Sequence, residues 1–235
     1  MNLKITTRIV GALFLIQMIA AVISHSTILA PILRGNDFLV KVAANESNVI
    51  LAALLDLVTG AAVFGISTLL FPILKKHSES IALWYAGLRL NEWVATVISG
   101  VFLLTIISIS KEYAQASMPE SSDLQSLGKY ILKARNMTKI LMLLGYCLSA
   151  VLFYFLLYRS RLLPRFISIW GLVGVLLLFI EIMSNIYGNS VGGIKIMLPL
   201  GLNELCLGVW LIVKGFNQAA LAVEWVESEA HGKSR

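Results

Sequence analysis

Six long apolar stretches, separated by polar ones, set the pattern of this chain. They cover 9–30, 48–71, 81–109, 137–158, 166–187 and 195–213. A helix needs about 20 apolar residues to cross the hydrocarbon core of a bilayer, and each stretch meets that length. The pattern therefore predicts an all-α fold, a polytopic membrane bundle of six transmembrane helices.

The connections between these stretches predict the domain organisation. We expect one transmembrane domain over 1–215, with halves 1–110 and 137–215, followed by a cytoplasmic C-terminal tail over 216–235. The linking stretch 111–136 carries a capping box, Ser122 to Gln125, ahead of apolar residues at helical spacing and several lysines. It predicts an amphipathic outer loop with a short basic helix on the membrane interface.

The composition agrees with a membrane protein. Of 235 residues 58% are hydrophobic and only 14% are charged, with a mean hydropathy of +0.83. A soluble domain could not keep a wetted surface with this composition, so the expected partner is the lipid bilayer. The net charge of +6 does not indicate nucleic acid, because no soluble basic face is present to bind it.

Lysine and arginine are concentrated in the short connections on one side. The densest cluster is the turn Arg159, Arg161 and Arg165, and the pair Lys75 and Lys76 falls on the same side. Basic residues in short loops stay on the cytoplasmic side of a membrane. Both termini are therefore predicted to be cytoplasmic.

Besides residues at the ends of the stretches, five ionisable residues fall inside the predicted spans, with His25 near an outer end. They are Asp56, Arg89, Glu92, Glu181 and Glu204. Arg89 and Glu92 lie three positions apart, which places them on one face of a helix. Four acids against one base would leave uncompensated charge in lipid, so we expect protonated acids or a bound cation at a shared interior site.

Two interpretations of these buried groups remain open. In the first, the carboxyls form a path or binding site for a proton, a cation or a small polar solute, linked by His25 and four amides. In the second, each group only holds helices together through hydrogen bonds. The amides are Asn91, Asn185, Asn203 and Gln17.

The sequence gives less support to metal, nucleotide or cofactor binding. His25, Asp56, Glu181 and Glu204 have acceptable metal-ligand atoms, but no paired-ligand motif accompanies them, so a metal stays unknown. No P-loop or dinucleotide fingerprint is present, and no cofactor is predicted. The two cysteines, Cys147 and Cys206, lie in apolar stretches and are expected to be free thiols.

One short motif recurs. Residues 88–92 (LRLNE) and 200–204 (LGLNE) match at four of five positions. Because each half has three spans, the second half would run in the opposite direction, and the two Asn-Glu pairs would be related by an axis in the membrane plane. The recurrence of this motif therefore favours two inverted three-helix repeats.

Several fragments together resemble a bacterial membrane family known as domain of unknown function 4386. They are Arg8-x-x-Gly11, Arg89-x-x-Glu92, the sequence YRSRLLPR at 158–165, and Glu204 followed by WLIVKGF at 210–216. The resemblance covers nearly the whole chain. It implies a multi-span helical architecture in a bacterial cytoplasmic (inner) membrane, with no activity, cofactor or catalytic residue to carry over.

These observations lead to three functional hypotheses. The first is a non-enzymatic protein that binds or transports a proton, small cation or polar solute, with Arg89 as counter-ion, Glu92 and Glu204 as paired carboxylates, and Asp56 and Glu181 as outer acids. The second is a structural or interaction protein with polar residues between helices. The third is a membrane enzyme acting on lipid, which requires a lateral groove beside the acids. The sequence does not define the oligomeric state.

Overall fold

The computed structural model describes residues 3–117, 120–189 and 191–217, and all regular elements in these ranges are helical. The elements are α1 (Leu3–Ala21), a π-helical segment (Val22–Leu29), α2 (Ala30–Leu33), α3 (Phe38–Ala44), α4 (Glu46–Leu74), α5 (Glu79–Gln115), α6 (Glu120–Ser160), α7 (Arg165–Ile186) and α8 (Ile194–Val213). The predicted tail, 216–235, lies outside the described residues beyond Asn217.

Six helical stretches in the described chain are long and apolar enough to cross a membrane, which confirms the predicted fold class. They are Leu3–Leu33, Glu46–Leu74, Glu79–Gln115, Glu120–Ser160, Arg165–Ile186 and Lys195–Val213. Helices α5 and α6 contain 37 and 41 residues. At about 1.5 Å per residue they are longer than the roughly 30 Å of a hydrocarbon core.

The linking stretch 111–136 differs from its prediction. Helix α5 continues to Gln115, and α6 begins at Glu120, so the expected interfacial helix is the beginning of α6. Glu120 and Asp123 lie in the first turn of α6, where acidic side chains favour the positive end of the helix dipole. This stretch is therefore helical, as the spacing predicted, but the helix begins at Glu120, before the predicted capping box, and is not separate from the fourth span. Its position on the membrane interface stays a prediction.

Contacts within the chain define two compact units. The first contains Met1–Leu15, Phe64–Arg89 and Leu144–Arg235, and the second contains Ile16–Val63 and Leu90–Leu143. These units do not correspond to the halves 1–110 and 137–215. The inverted repeat is not confirmed and stays a prediction, as does the orientation of the termini.

The second unit has an apolar core to which α3 contributes strongly. Phe38, Leu39 and Val42 of α3 are buried in one cluster with Leu103 and Ile106 of α5. Gly128 of α6 lies against α3, where an added Cβ would come within 3.0 Å of the Leu39 side chain. A small residue at this position lets the two helices approach closely.

In the first unit, aromatic residues from several helices pack together. The rings of Tyr85 and Phe153 stack with centroids 5.0 Å apart, and Tyr154 lies 5.4 Å from Phe153. Gly171 of α7 faces the Tyr154 ring so closely that any side chain there would collide with it. Cys147 and Cys206 are free thiols, as predicted.

The π-helical segment Val22–Leu29 is the most unusual backbone feature of the second unit. The N–H of Ala30 bonds to the carbonyl of His25, five residues back. Pro31 follows immediately and has no N–H, so it interrupts the regular hydrogen-bond ladder. π-Helical turns are rare and frequently accompany functional sites, and this one carries Ser24 and His25.

Candidate functional site

Asp56 of α4 is the centre of a polar cluster in the second unit. Asp56 is buried, with only 4% of its surface exposed. Ser24 Oγ lies 2.5 Å from Asp56 Oδ1 and donates to it, and Arg135 Nη2 lies 3.5 Å from Oδ2. Two elements of the chain therefore supply partners to opposite oxygens of this carboxyl: the π-helical segment and α6.

His25 connects Asp56 to a second cation. Its Nε2 lies 3.6 Å from Asp56 Oδ1, and its Nδ1 lies 3.1 Å from Lys139 Nζ. A lysine ammonium has only donors, so Nδ1 must accept, and the ring proton then belongs on Nε2, facing Asp56. These contacts form a chain that runs from Lys139 through His25 and Asp56 to Arg135.

These contacts correct the expected charge balance. Arg135 and Lys139 were not counted among the ionisable residues expected inside the spans. In the structure Arg135 is only 2% exposed and contacts Asp56. The second unit therefore places two basic side chains, Arg135 and Lys139, with the buried Asp56 and the half-buried Glu92, so these two acids are not in excess.

A small cavity adjoins the cluster. Its volume is about 40 Å³. Its polar wall includes His25, Asp56, Glu92 and Lys139, and the remaining lining residues are Thr59, Gly60, Val63, Thr96, Ser99 and Met142. A cavity needs roughly 10–15 Å³ to hold one water, so this one has room for water beside titratable groups.

Glycine at position 60 allows the helices around this cavity to pack closely. A Cβ on Gly60 would lie 2.7 Å from the indole ring of Trp93 on α5. On the same face of α5, Thr96 Oγ1 donates to the Glu92 carbonyl at 2.9 Å and lies 3.6 Å from the sulfur of Met142. These contacts connect α4, α5 and α6 along the wall that carries Glu92.

Arg89 and Glu204 meet in the first unit through a tyrosine. The hydroxyl of Tyr146 donates to Glu204 Oε1 at 2.6 Å. The Arg89 guanidinium lies over the rings of Tyr146 and Tyr85, 5.0 and 5.3 Å from their centroids. Glu92 belongs to the other unit, so its expected pairing with Arg89 and with Glu204 stays a prediction.

Glu181 of α7 has a third environment. Its Oε1 accepts from Asn185 Nδ2 at 2.8 Å, and its Oε2 accepts the N–H groups of Val191 and Gly192, both at 3.1 Å. This carboxyl therefore fastens the connection between α7 and α8 to the end of α7. Gly193, with φ of 54°, turns the chain into α8.

The two asparagines of the repeated motif differ. Asn203 is fully buried on α8, and its Nδ2 donates to the Ile167 carbonyl of α7 at 2.9 Å. Asn91 is exposed. The first contact is an interhelical hydrogen bond of the kind expected from polar residues that fix helix packing.

The predicted site residues are thus distributed over three sets of contacts. Asp56 and His25 lie together, with Glu92 on the same cavity. Arg89 and Glu204 share Tyr146, and Glu181 pairs with Asn185. Within the described ranges, no group of three or more His, Cys, Asp or Glu side chains is arranged to hold a metal ion.

Sequence reasoning missed Ser24, Arg135 and Lys139. A signal was present for the last two, because they lie four residues apart and therefore share a helix face. No comparable signal marked Ser24, since its contact with Asp56 arises in the π-helical segment.

Six apolar spans with polar residues between them define a multi-pass helical membrane protein. More specifically, the chain belongs to the family described as Domain of unknown function (DUF4386), whose model matches residues 9–215. Comparisons with curated proteins and with solved structures find no match.

Proposed function

We propose that this membrane protein binds protons and conducts them through the cluster of Lys139, His25, Asp56 and Arg135. The observation that carries the proposal is the position of His25, which contacts Lys139 with one ring nitrogen and approaches Asp56 with the other. Histidine can act as a proton shuttle because each of its two ring nitrogens can bind or release a proton. A proton accepted on one nitrogen can leave from the other.

The surrounding cavity supports this role. It has about 40 Å³, and Glu92 lies on its wall with His25 and Asp56. Water in such a space would extend the hydrogen-bonded chain between the two carboxyls. Titratable groups inside membrane spans, facing a water-filled cavity, are typical of proton relays.

A proton fits this cluster better than a metal cation does. Lys139 and Arg135 place two positive charges next to the carboxyl that would have to bind the cation. The Asp56 oxygens also already accept a hydrogen bond from Ser24 and form an ion pair with Arg135. A proton can bind to one of these oxygens in place of the Ser24 hydrogen bond, whereas a cation would have to displace a basic side chain.

We further propose that the protein works in a bacterial cytoplasmic membrane with both termini cytoplasmic. The basis is the charge asymmetry of the connections, in which Arg159, Arg161 and Arg165 form one short basic turn.

The test uses the purified full chain in proteoliposomes that contain a pH-sensitive dye and an imposed potassium diffusion potential. The wild type should acidify the lumen faster than empty vesicles do. His25→Gln keeps a polar side chain but cannot titrate, and it should reduce the flux about a hundredfold, the lower end of the range expected from losing one proton-transfer group.

His77→Gln is the matched control, because His77 follows α4 outside this cluster. It should conduct as the wild type does. Equal flux in His25→Gln and wild type, or a wild type no faster than empty vesicles, would contradict the proposal.

A structural role is the second candidate, and the contacts of Glu181 and Asn203 favour it. Both side chains use their hydrogen bonds to hold backbone of the first unit in place. Under this hypothesis His25→Gln lowers the melting temperature in detergent, and no variant changes proton flux. For the third hypothesis, a lipid-modifying enzyme, the cavity of about 40 Å³ offers less space than a lipid headgroup requires.

A further inference from the structure

We propose that a basic groove in the first unit, where the turn between α6 and α7 lies beside the end of α8, binds the phosphate group of an anionic phospholipid. The groove has a volume of about 540 Å³ and lies between the residues that precede α7 and those that follow α8. Its charged lining residues in the described part of the chain are all basic: Arg161, Arg165 and Lys214.

The backbone of the groove is fixed by its own contacts. The N–H of Asn217 donates to the Leu162 carbonyl at 2.9 Å, which fastens the chain after α8 to the turn before α7. Leu162 is fully buried. Arg161 has φ of 55°, which a non-glycine residue keeps only when its surroundings hold it. Gly215, with φ of 70°, completes the turn after α8.

Aromatic rings support two of the cations. The Arg165 guanidinium lies 5.2 Å from the Tyr158 ring centroid, and Lys214 Nζ lies 4.4 Å from that of Trp210. These contacts orient the cations, so binding an anion costs less side-chain entropy. Arg165 also begins α7, whose first N–H groups and dipole add attraction for an anion.

The surface beside the groove explains why we infer a lipid. Phe166 of α7 and Val213 of α8 flank the basic residues and are 53% and 71% exposed. Farther along the same helices, Ile169 and Val209 are also exposed. A phospholipid would place its phosphate among the cations and its acyl chains on this apolar surface. Trp210 and Tyr158 are residue types that favour the interfacial level of a membrane.

The experiment is native mass spectrometry of the purified full chain, titrated with phosphatidylglycerol or with phosphatidylcholine. We expect the wild type to retain phosphatidylglycerol in preference to phosphatidylcholine. Arg165→Gln combined with Lys214→Gln should weaken retention about 30-fold, because each basic residue near an anionic surface contributes roughly fivefold. Glutamine keeps much of each side-chain stem, and the melting temperature in phosphatidylcholine micelles verifies folding.

The matched control is Lys75→Gln combined with Lys76→Gln, which removes the same charge from exposed residues outside the groove. This variant should retain phosphatidylglycerol as the wild type does. Equal losses in both double variants would overturn the proposal, since net charge alone would then explain binding. Displacement of the lipid by an equal concentration of inorganic phosphate would overturn the lipid as the source of the phosphate.

Discussion

Asp56 and Glu181 are acids of nearly equal burial, 4% and 3% exposed, but they have different surroundings. Asp56 lies among Ser24, His25 and Arg135 and borders a cavity. Glu181 accepts hydrogen bonds from the Asn185 side-chain amide on α7 and from two backbone N–H groups in the connection between α7 and α8. The chemistry of the donors, and not burial, separates the carboxyl for which we propose proton exchange from the carboxyl that fixes backbone.

This difference has an energetic basis. A buried carboxylate beside cations depends on both partners staying charged, and losing one leaves the other uncompensated. A carboxylate that accepts backbone N–H groups is stabilised by donors that do not titrate. We therefore expect the cluster around Asp56 to respond to charge changes more strongly than the cluster around Glu181.

The largest effect should come from Arg135→Met. The variant leaves Asp56 without its cation in a buried setting and should lower the free energy of unfolding by about 3 kcal/mol. Thermal unfolding in detergent, followed by tryptophan fluorescence, measures the loss. Adding Asp56→Asn should restore part of it, because the uncompensated charge is then removed.

Lys133→Met provides the control for this prediction, since Lys133 is an exposed cation on the same helix. It should change stability little. An Arg135→Met variant as stable as Lys133→Met would show that the contact between Arg135 and Asp56 contributes nothing.

A smaller effect is expected for Glu181→Gln. The amide nitrogen must face a donor, either Asn185 or the N–H groups of Val191 and Gly192, and the expected loss is about 2 kcal/mol. Hydrogen exchange at Val191 and Gly192 should become faster, while proton flux stays at the wild-type level. Glu112→Gln, at an exposed acid, is the control. Reduced flux in Glu181→Gln would remove the distinction between the two carboxyls.

The smallest effect is expected for Ser24→Ala. It deletes one neutral donor to Asp56 and leaves His25 and Arg135 in place, so stability should fall by about 1 kcal/mol. Proton flux should fall less than in His25→Gln. Ser126→Ala removes an exposed hydroxyl that donates to the Ser122 carbonyl, and it should be neutral. A flux in Ser24→Ala as low as in His25→Gln would make Ser24 part of the path.

The spans could be predicted from sequence because their length and apolar composition follow from the thickness of the bilayer. Arg135 and Lys139 could not be placed in this way. A hydropathy boundary near residue 137 leaves Arg135 outside the predicted fourth span and Lys139 at its very beginning, yet α6 runs without interruption from Glu120 to Ser160. Their burial depends on which face of α6 meets Asp56, and that is a property of helix packing.

The partners of the buried acids could not be identified from the sequence either. Asp56, Glu92, Glu181 and Glu204 were identified as candidates because charge is costly in lipid. Their partners are distant in sequence: Tyr146 is 58 positions from Glu204, and Ser24 is 32 positions from Asp56. Composition and spacing indicate that such partners must exist, but only the packed helices identify them.

The length of α6 also affects how this protein could be imaged. A helix of 41 residues is about 60 Å long, roughly twice the hydrocarbon thickness, so a substantial part of it must project beyond the lipid. Lys129, Tyr130 and Lys133 present exposed side chains near its beginning. An antibody fragment raised against this rigid projection would give a small protein the external marker that particle alignment in electron microscopy requires.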